Sequence, residues 1–161
     1  MKRQIDLILK GGTLVNQDGA GMRNIAVHQG QIAGIGDLSE FTAAETLDCS
    51  GLHILPGVID TQVHLREPGA EHKEDLETGG RAAVMGGVTG VFEMPNTKPL
   101  TTTAAALADK VRRASNRMHC DFAFYVGGTR ENAAQLSEFE KLPGCAGIKV
   151  FMGSSTGDLL V

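Results

Sequence analysis

The sequence predicts an α/β protein in which a small β unit precedes a parallel sheet flanked by helices. Two observations predict this fold class. Short apolar runs separated by glycine-rich turns fill roughly the first 50 residues, a pattern typical of a small β unit. From residue 54 onward, runs of strand length alternate with helical patterns at the spacing of βα units, which favours a parallel sheet. We therefore expect two domains, residues 1–53 and residues 54–161.

Strand patterns account for most of the first domain. Residues 4–10 form an apolar run that stops at Gly11-Gly12, and residues 13–15 continue it. Residues 24–35 alternate apolar and polar positions around a turn at Gln29-Gly30, as a β-hairpin does. This domain is expected to be all β.

The second domain is expected to alternate strands and helices. The predicted strands are 54–65, 88–94, 121–126 and 147–152, and the predicted helices are 73–86, 103–118 and 130–139. The glycine- and serine-rich stretch 153–157 lacks the lysine and spacing of a P-loop, so a turn is expected there. A complete (β/α)₈ barrel needs about 250 residues. A barrel therefore requires this chain to be a fragment, and the alternative is a small, complete α/β protein with a β appendage.

Composition and charge exclude several classes of protein. The chain is 42% hydrophobic and 21% charged, as soluble globular proteins are, and its net charge of −4 includes no block of like charge, which argues against binding nucleic acid or a membrane surface. No apolar stretch is long enough to cross a membrane, and no apolar signal region follows the N-terminal basic pair. The widely spaced Cys49, Cys120 and Cys145 form no disulfide framework. A cytoplasmic protein is expected.

Polar side chains occupy one face of the first strand in the second domain. Because side chains alternate along a strand, one face carries a carboxylate, an amide, an imidazole and a guanidinium. These belong to Asp60, Gln62, His64 and Arg66. An edge strand with one solvated face is one explanation. The βα alternation favours the other, a ligand site at the carboxyl end of a parallel strand.

A lysine lies in the middle of the last predicted strand. Ile148, Val150 and Met152 share one face, whereas Lys149 lies with Phe151 on the other. Burying an ammonium group is costly. The lysine could extend to the strand end, or pair with a carboxylate such as that of Asp60. It could also react with carbon dioxide to give a carbamate, an oxygen ligand able to bridge two metal ions.

Asn96 follows the second strand within a Met-Pro-Asn-Thr segment. Asparagine and proline are ordinary turn residues, which is one interpretation. A hydrogen-bonding amide at the catalytic end of a barrel is the alternative.

These segments together resemble the dihydroorotases of the amidohydrolase superfamily. The matching segments are 56–60 (PGVID), 63–69 (VHLREPG), 72–75 (HKED), 86–89 (GGVT), 94–97 (MPNT) and 147–151 (GIKVF). The resemblance implies a (β/α)₈ barrel with a small β-sandwich built from both chain ends. Residues 1–53 would be the N-terminal share of the sandwich, and residues 54–161 the barrel to just past its fourth strand. It also implies the reversible, zinc-dependent hydrolysis of dihydroorotate to N-carbamoyl-aspartate in pyrimidine synthesis.

The same resemblance implies roles for individual residues. His64 resembles a zinc ligand, and Lys149 resembles the carboxylated lysine that bridges two metal ions. Arg66 and Asn96 resemble the pair that holds the substrate carboxylate, a role suited to the parallel donors of a guanidinium. Asp60 would lie near the site in a structural role.

The chain departs from the family pattern in two ways. The family has His-x-His where this chain has Gln62-Val63-His64, and an amide oxygen is a poorer zinc ligand than imidazole. One or two Zn²⁺ ions are therefore expected. The family also draws two further histidine ligands and a catalytic aspartate from later strands, so the chain alone is expected to be inactive.

The sequence is compatible with three functions. The first is a dihydroorotase, homo-oligomeric at full length, which the joint occurrence of REPG (66–69) and MPNT (94–97) favours. The second is a hydantoinase or allantoinase acting on another cyclic ureide. The third is a non-catalytic, dihydroorotase-like scaffold that associates with a partner enzyme of pyrimidine synthesis, which Gln62 favours.

Overall fold

The computed structural model describes residues 2–153 and 159–161, and it divides into two compact units between Pro56 and Gly57. Most of the turn predicted at 153–157 lies outside the described residues. No described helix combines the length and apolarity needed to span a membrane.

The described part of the first unit consists of strands and turns. Its strands are β1 Arg3–Lys10, β2 Thr13–Asn16, β3 Gly19–Met22, β4 Asn24–His28, β5 Gln31–Gly36, β6 Phe41–Asp48 and β7 His53–Ile54. They form two sheets with the orders β5-β4-β1-β6 and β3-β2-β7. The predicted hairpin is β4–β5, whose turn residues Gln29 and Gly30 both have positive φ angles, as a two-residue hairpin turn requires.

The second unit alternates strands and helices, as predicted. Its elements are β8 Val58–Val63, α1 Leu76–Met85, β9 Val88–Glu93, α2 Ala104–Ala114, β10 Asp121–Gly127, α3 Leu136–Phe139 and β11 Cys145–Lys149. The strands pair in parallel in the order β8-β9-β10-β11, which confirms the predicted parallel sheet. Consecutive parallel order is what the first strands of a (β/α)₈ barrel would show, and the complete barrel stays a prediction.

Local capping makes the helices shorter than the apolar periodicity suggests. The Asp75 side chain accepts a hydrogen bond from Thr78 N at 2.8 Å, so α1 begins after it and not at residue 73. Helix α2 ends at Ala114 and not at residue 118, because the Ser115 hydroxyl donates to the Val111 carbonyl at 2.7 Å and Asn116 turns to a φ of 62°.

Two strand predictions also need correction at their ends. The run predicted as one strand at 54–65 is divided, because Ile54 pairs with β2 in the first unit and β8 begins only at Val58. The last strand ends at Lys149 and not at residue 152, and Phe151 instead forms an isolated bridge with Leu160. Met152, predicted to lie on the apolar face, is 91% exposed.

The core of the second unit lies between the sheet and its helices. Its buried members are Leu65, Leu76, Val91, Leu107, Ala114, Phe124, Val126 and Phe139. Val63 and Ile148 pack against this cluster, as the predicted apolar faces require. A Cβ atom on Gly79 would lie 2.5 Å from Leu65, so the glycine lets α1 approach the sheet closely. The polar side chains of β8 and β11 are left on the opposite face of the sheet.

A candidate active site at the carboxyl ends of the parallel strands

A cavity of about 180 Å³ opens where β8, β9 and β11 end. It is lined by Gln62, His64, Arg66, Met94, Asn96, Lys149 and Phe151. The structure therefore brings together five polar residues that were selected from three separate segments of the sequence. Their chemical roles stay predictions.

His64 and Asn96 contact each other across this cavity. The Nδ1 atom of His64 lies 3.0 Å from the Oδ1 atom of Asn96. Because a carboxamide oxygen only accepts hydrogen bonds, the proton of a neutral His64 belongs on Nδ1. The Nε2 lone pair is then available. This is the arrangement in which histidines bind metal ions, with the second ring nitrogen held by a polar neighbour.

Arg66 sits in a sharp backbone turn. Its φ angle is 63°, and Glu67 N donates to Leu65 O at 2.8 Å, which closes a three-residue turn around it. Non-glycine residues rarely adopt positive φ angles, and they do so where the surrounding structure over-determines them. The turn directs the guanidinium toward the cavity.

Glu67, for which the sequence predicted no individual role, holds this turn in place. Glu67 is 4% exposed, and its carboxylate accepts hydrogen bonds from Arg117 Nη1 at 2.8 Å and Nη2 at 3.1 Å. The same carboxylate accepts from Leu76 N at 3.2 Å, at the start of α1. The hydrogen bonds from Arg117 to the Glu67 carboxylate raise the pKa of the Arg117 guanidinium. Since 50 residues separate Glu67 from Arg117, no local pattern could have revealed the pair.

The loop that carries Asn96 is fixed on both sides. Met94 N donates to Val63 O at 3.0 Å, which extends the parallel ladder by one residue beyond β9. Pro95 is buried, and its carbonyl accepts from Thr101 N at 2.9 Å. Asn96 thus lies in a braced segment and not in a solvated turn. The functional interpretation of Asn96 stays a prediction.

Asp60 lies outside the cavity lining. Its Oδ1 atom accepts from the backbone N of Gln62 at 3.0 Å, where the pairing of β8 with β9 shifts register. The carboxylate therefore stabilises the backbone at Gln62, one residue before β8 ends.

Lys149 lies half-buried beside Phe151, with its Nζ atom 5.2 Å from the centre of the aromatic ring. Within residues 2–153 and 159–161, no carboxylate comes within ion-pairing distance of this nitrogen, so the suggested pairing with Asp60 is not observed. The aromatic ring contributes a weak cation–π attraction. The lysine and its ring neighbour share the cavity face, as the strand alternation predicted.

The donors at the cavity fit part of a zinc site. They comprise one imidazole, two amides and one amine, and an amine can serve as an oxygen ligand only after carboxylation. Structural and catalytic zinc sites use three or four imidazole, thiolate or carboxylate ligands. No cluster of three such side chains occurs among the described residues. These residues therefore do not complete a metal centre by themselves.

Comparisons with known proteins show the family to which the chain belongs. A family model described as dihydro-orotase-like matches residues 51–145. An allantoinase from Deinococcus radiodurans is 40% identical over 94% of this chain and 34% of its own length. An allantoinase from Escherichia coli K12 (DH10B) is 40% identical over 92% of this chain and 33% of its own length.

Two hydantoinases are among the solved structures that superimpose on this chain. The L-hydantoinase (dihydropyrimidinase) from Arthrobacter aurescens superimposes with a TM-score of 0.89 at 33% identity, covering 98% of this chain and 35% of that protein. A D-hydantoinase from a Thermus species superimposes with a TM-score of 0.78 at 26% identity, over 96% of this chain and 35% of that protein. The chain thus spans about a third of the length of these relatives.

Proposed function

Because the chain belongs to the dihydroorotase-like family of cyclic amidohydrolases, we propose that it supplies one side of the active site of a hydrolase of the allantoinase or hydantoinase type. The observation that carries the proposal is the convergence of His64, Arg66, Asn96 and Lys149 on one cavity at the strand ends. Ligands of parallel α/β folds bind at this end of the strands. The substrate would be a cyclic ureide.

The comparisons favour this substrate class over the dihydroorotase expected from the sequence. The curated relatives reported above are allantoinases, and the solved structures are hydantoinases. Dihydroorotase stays the second candidate because Arg66 and Asn96 both line the cavity. A guanidinium with a neighbouring amide is well suited to hold a substrate carboxylate.

We further propose Zn²⁺ as the metal of the complete protein, with His64 Nε2 and a carboxylated Lys149 among its ligands. In the carboxylation, the neutral amine adds to carbon dioxide and releases one proton, which leaves an anionic carbamate with two oxygens for metal binding. The position of Lys149 in the cavity, without a carboxylate partner among the described residues, supports this role. Gln62 is a weaker donor in the same cavity, and further ligands are needed to complete the centre.

A substrate panel tests the proposal on the full-length protein. Allantoin, hydantoin and dihydroorotate are compared at equal concentration for the wild type and for His64→Ala. The expected result is faster hydrolysis of allantoin or hydantoin than of dihydroorotate, with loss of activity in the variant. Preferred hydrolysis of dihydroorotate would support the second candidate. No hydrolysis of any of the three by zinc-loaded protein would contradict the hydrolase assignment.

The variant Arg66→Lys provides a second test that distinguishes a hydrolase of the allantoinase or hydantoinase type from a dihydroorotase. Lysine keeps the charge and loses the planar fork of donors. If the substrate carries a carboxylate, KM should rise for dihydroorotate and change much less for hydantoin. An equal loss for both substrates would show that Arg66 has a structural role.

A further inference from the structure

A buried ion pair lies beside the cavity. It joins Glu93, the last residue of β9, to Lys110 in α2, and the Lys110 Nζ atom is 3.1 Å from the Glu93 Oε2 atom. Each side chain is 1% exposed. Lys110 also donates to the Met94 carbonyl at 3.2 Å and lies 5.3 Å from the centre of the Phe124 ring. Neither charged residue lines the cavity itself.

A contribution to the stability of the fold does not explain why this ion pair is buried. Burial raises the pKa of Glu93 and lowers the pKa of Lys110, and the attraction between the two charges opposes both shifts. No donor in the described part of the chain makes a well-aligned hydrogen bond to either Glu93 carboxylate oxygen. Replacing such a pair by apolar side chains of similar volume is often neutral or stabilising. A role in fixing a particular geometry is the better explanation.

The pair contacts both segments that carry the substrate-facing side chains. Glu93 is paired with Val63 in the parallel β8–β9 ladder, three residues before Arg66, and the backbone N–H groups of Leu65 and Arg66 lower the pKa of its carboxyl group. Lys110 binds the Met94 carbonyl, two residues before Asn96. Glu93 therefore lies beside the end of β8 that leads into the Arg66 turn, and Lys110 holds the start of the Asn96 loop.

We propose that the Glu93–Lys110 pair is a positioning device that sets the spacing of Arg66 and Asn96 across the cavity. The pair acts through the backbone of the two segments and does not touch the reacting atoms. The inference rests on the proposed function only in taking Arg66 and Asn96 as substrate-facing residues. The geometry it predicts can be measured without any assay of activity.

The test compares the full-length wild type with the double variant Glu93→Leu/Lys110→Met, which keeps the side-chain volume and removes both charges. Nitrogen NMR of histidine-labelled, metal-stripped protein reports whether the His64 proton stays on Nδ1, where Asn96 holds it. The variant is expected to fold and to give a mixture of His64 tautomers. In the zinc-loaded double variant, KM should rise about tenfold with a smaller change in kcat. This is the effect expected when one charge-assisted contact between the enzyme and its substrate is weakened.

A matched control removes an exposed ion pair at the end of another helix. Glu138 and Lys141 lie 2.9 Å apart on the surface, with side chains 72% and 69% exposed, and Glu138→Gln/Lys141→Gln should leave the His64 signal and KM unchanged. A folded Glu93→Leu/Lys110→Met protein with the wild-type His64 signal and KM would overturn the proposal.

If the double variant does not fold, Glu93→Gln decides the question, because glutamine keeps the shape and removes the charge. It is expected to shift the His64 signal, and an unchanged signal would overturn the proposal. Absence of ureide hydrolysis by the wild type would count against the proposed function alone, since the NMR comparison is independent of turnover.

Discussion

The Nδ1 atom of His64 and the Oδ1 atom of Asn96 lie 3.0 Å apart, which joins the end of β8 to the loop after β9. This contact orients the imidazole, because the accepting oxygen fixes which ring nitrogen carries the proton. It also places a potential metal ligand and a potential substrate-binding amide in one hydrogen-bonded unit.

Asn96→Leu should release the His64 imidazole from its fixed tautomer. Leucine has a similar volume and offers no acceptor, so the proton is expected to distribute over both ring nitrogens in metal-stripped protein. Nitrogen NMR of labelled histidine measures this, with the exposed His72 as an internal reference that should not change. A His64 proton that stays wholly on Nδ1 would show that Asn96 does not hold it.

Glu67→Gln should destabilise the second unit. The substitution removes the charge that Arg117 binds through two nitrogens and weakens the acceptor for Leu76 N, both at a buried carboxylate. A loss of about 1–3 kcal/mol in the free energy of unfolding is expected, as for a buried hydrogen-bonding group that loses its partner. Urea unfolding measures it. Glu138→Gln, at an exposed ion pair, should cost under about 1 kcal/mol, and equal losses would contradict the role of Glu67.

Asp75 should make part of the stability of α1 depend on pH. The backbone N–H of Thr78 donates to its carboxylate and lowers the pKa below the ordinary value of 3.8. A lowered folded-state pKa means that this stabilisation is present above pH 3.8 and is lost as the pH falls through the folded-state value. Asp75→Asn keeps an acceptor that cannot ionise, so urea midpoints should fall less steeply on acidification. An acid slope equal to that of the wild type would contradict this account.

The parts of the fold that follow from local periodicity could be predicted from the sequence. The alternation predicted along residues 58–66 placed Gln62, His64 and Arg66 on one face, although β8 itself ends at Val63. The βα spacing predicted the parallel sheet that brings these residues near Lys149. The helix ends could not be placed, because single capping contacts such as that of Ser115 override the apolar pattern.

The supporting contacts of the site were beyond sequence analysis for a different reason. Glu67 with Arg117, and Glu93 with Lys110, pair across long stretches of chain, and a charged residue gives no sign in the sequence that it is buried. The substrate could not be predicted either. Motifs that suggested dihydroorotase occur in a chain whose reported relatives are allantoinases and hydantoinases.

Gln62→His should strengthen zinc binding by the full-length protein. Gln62 lines the same cavity as His64, and imidazole is a better zinc ligand than an amide oxygen. Metal analysis and calorimetric titration are expected to show higher affinity or a second equivalent of zinc. Gln135→His, at an exposed position away from this cavity, is the matched control. Unchanged zinc binding by the Gln62 variant would show that position 62 does not face the metal.

The role of Lys149 is tested most directly by the turnover and metal content of full-length Lys149→Ala with the preferred cyclic ureide as substrate. If a carboxylated Lys149 binds the metal, kcat/KM falls at least about a hundredfold and bound zinc decreases. Short carboxylic acids then partly restore activity by replacing the carbamate oxygens. Wild-type turnover and zinc content in Lys149→Ala would contradict the assignment of this cavity as the active site.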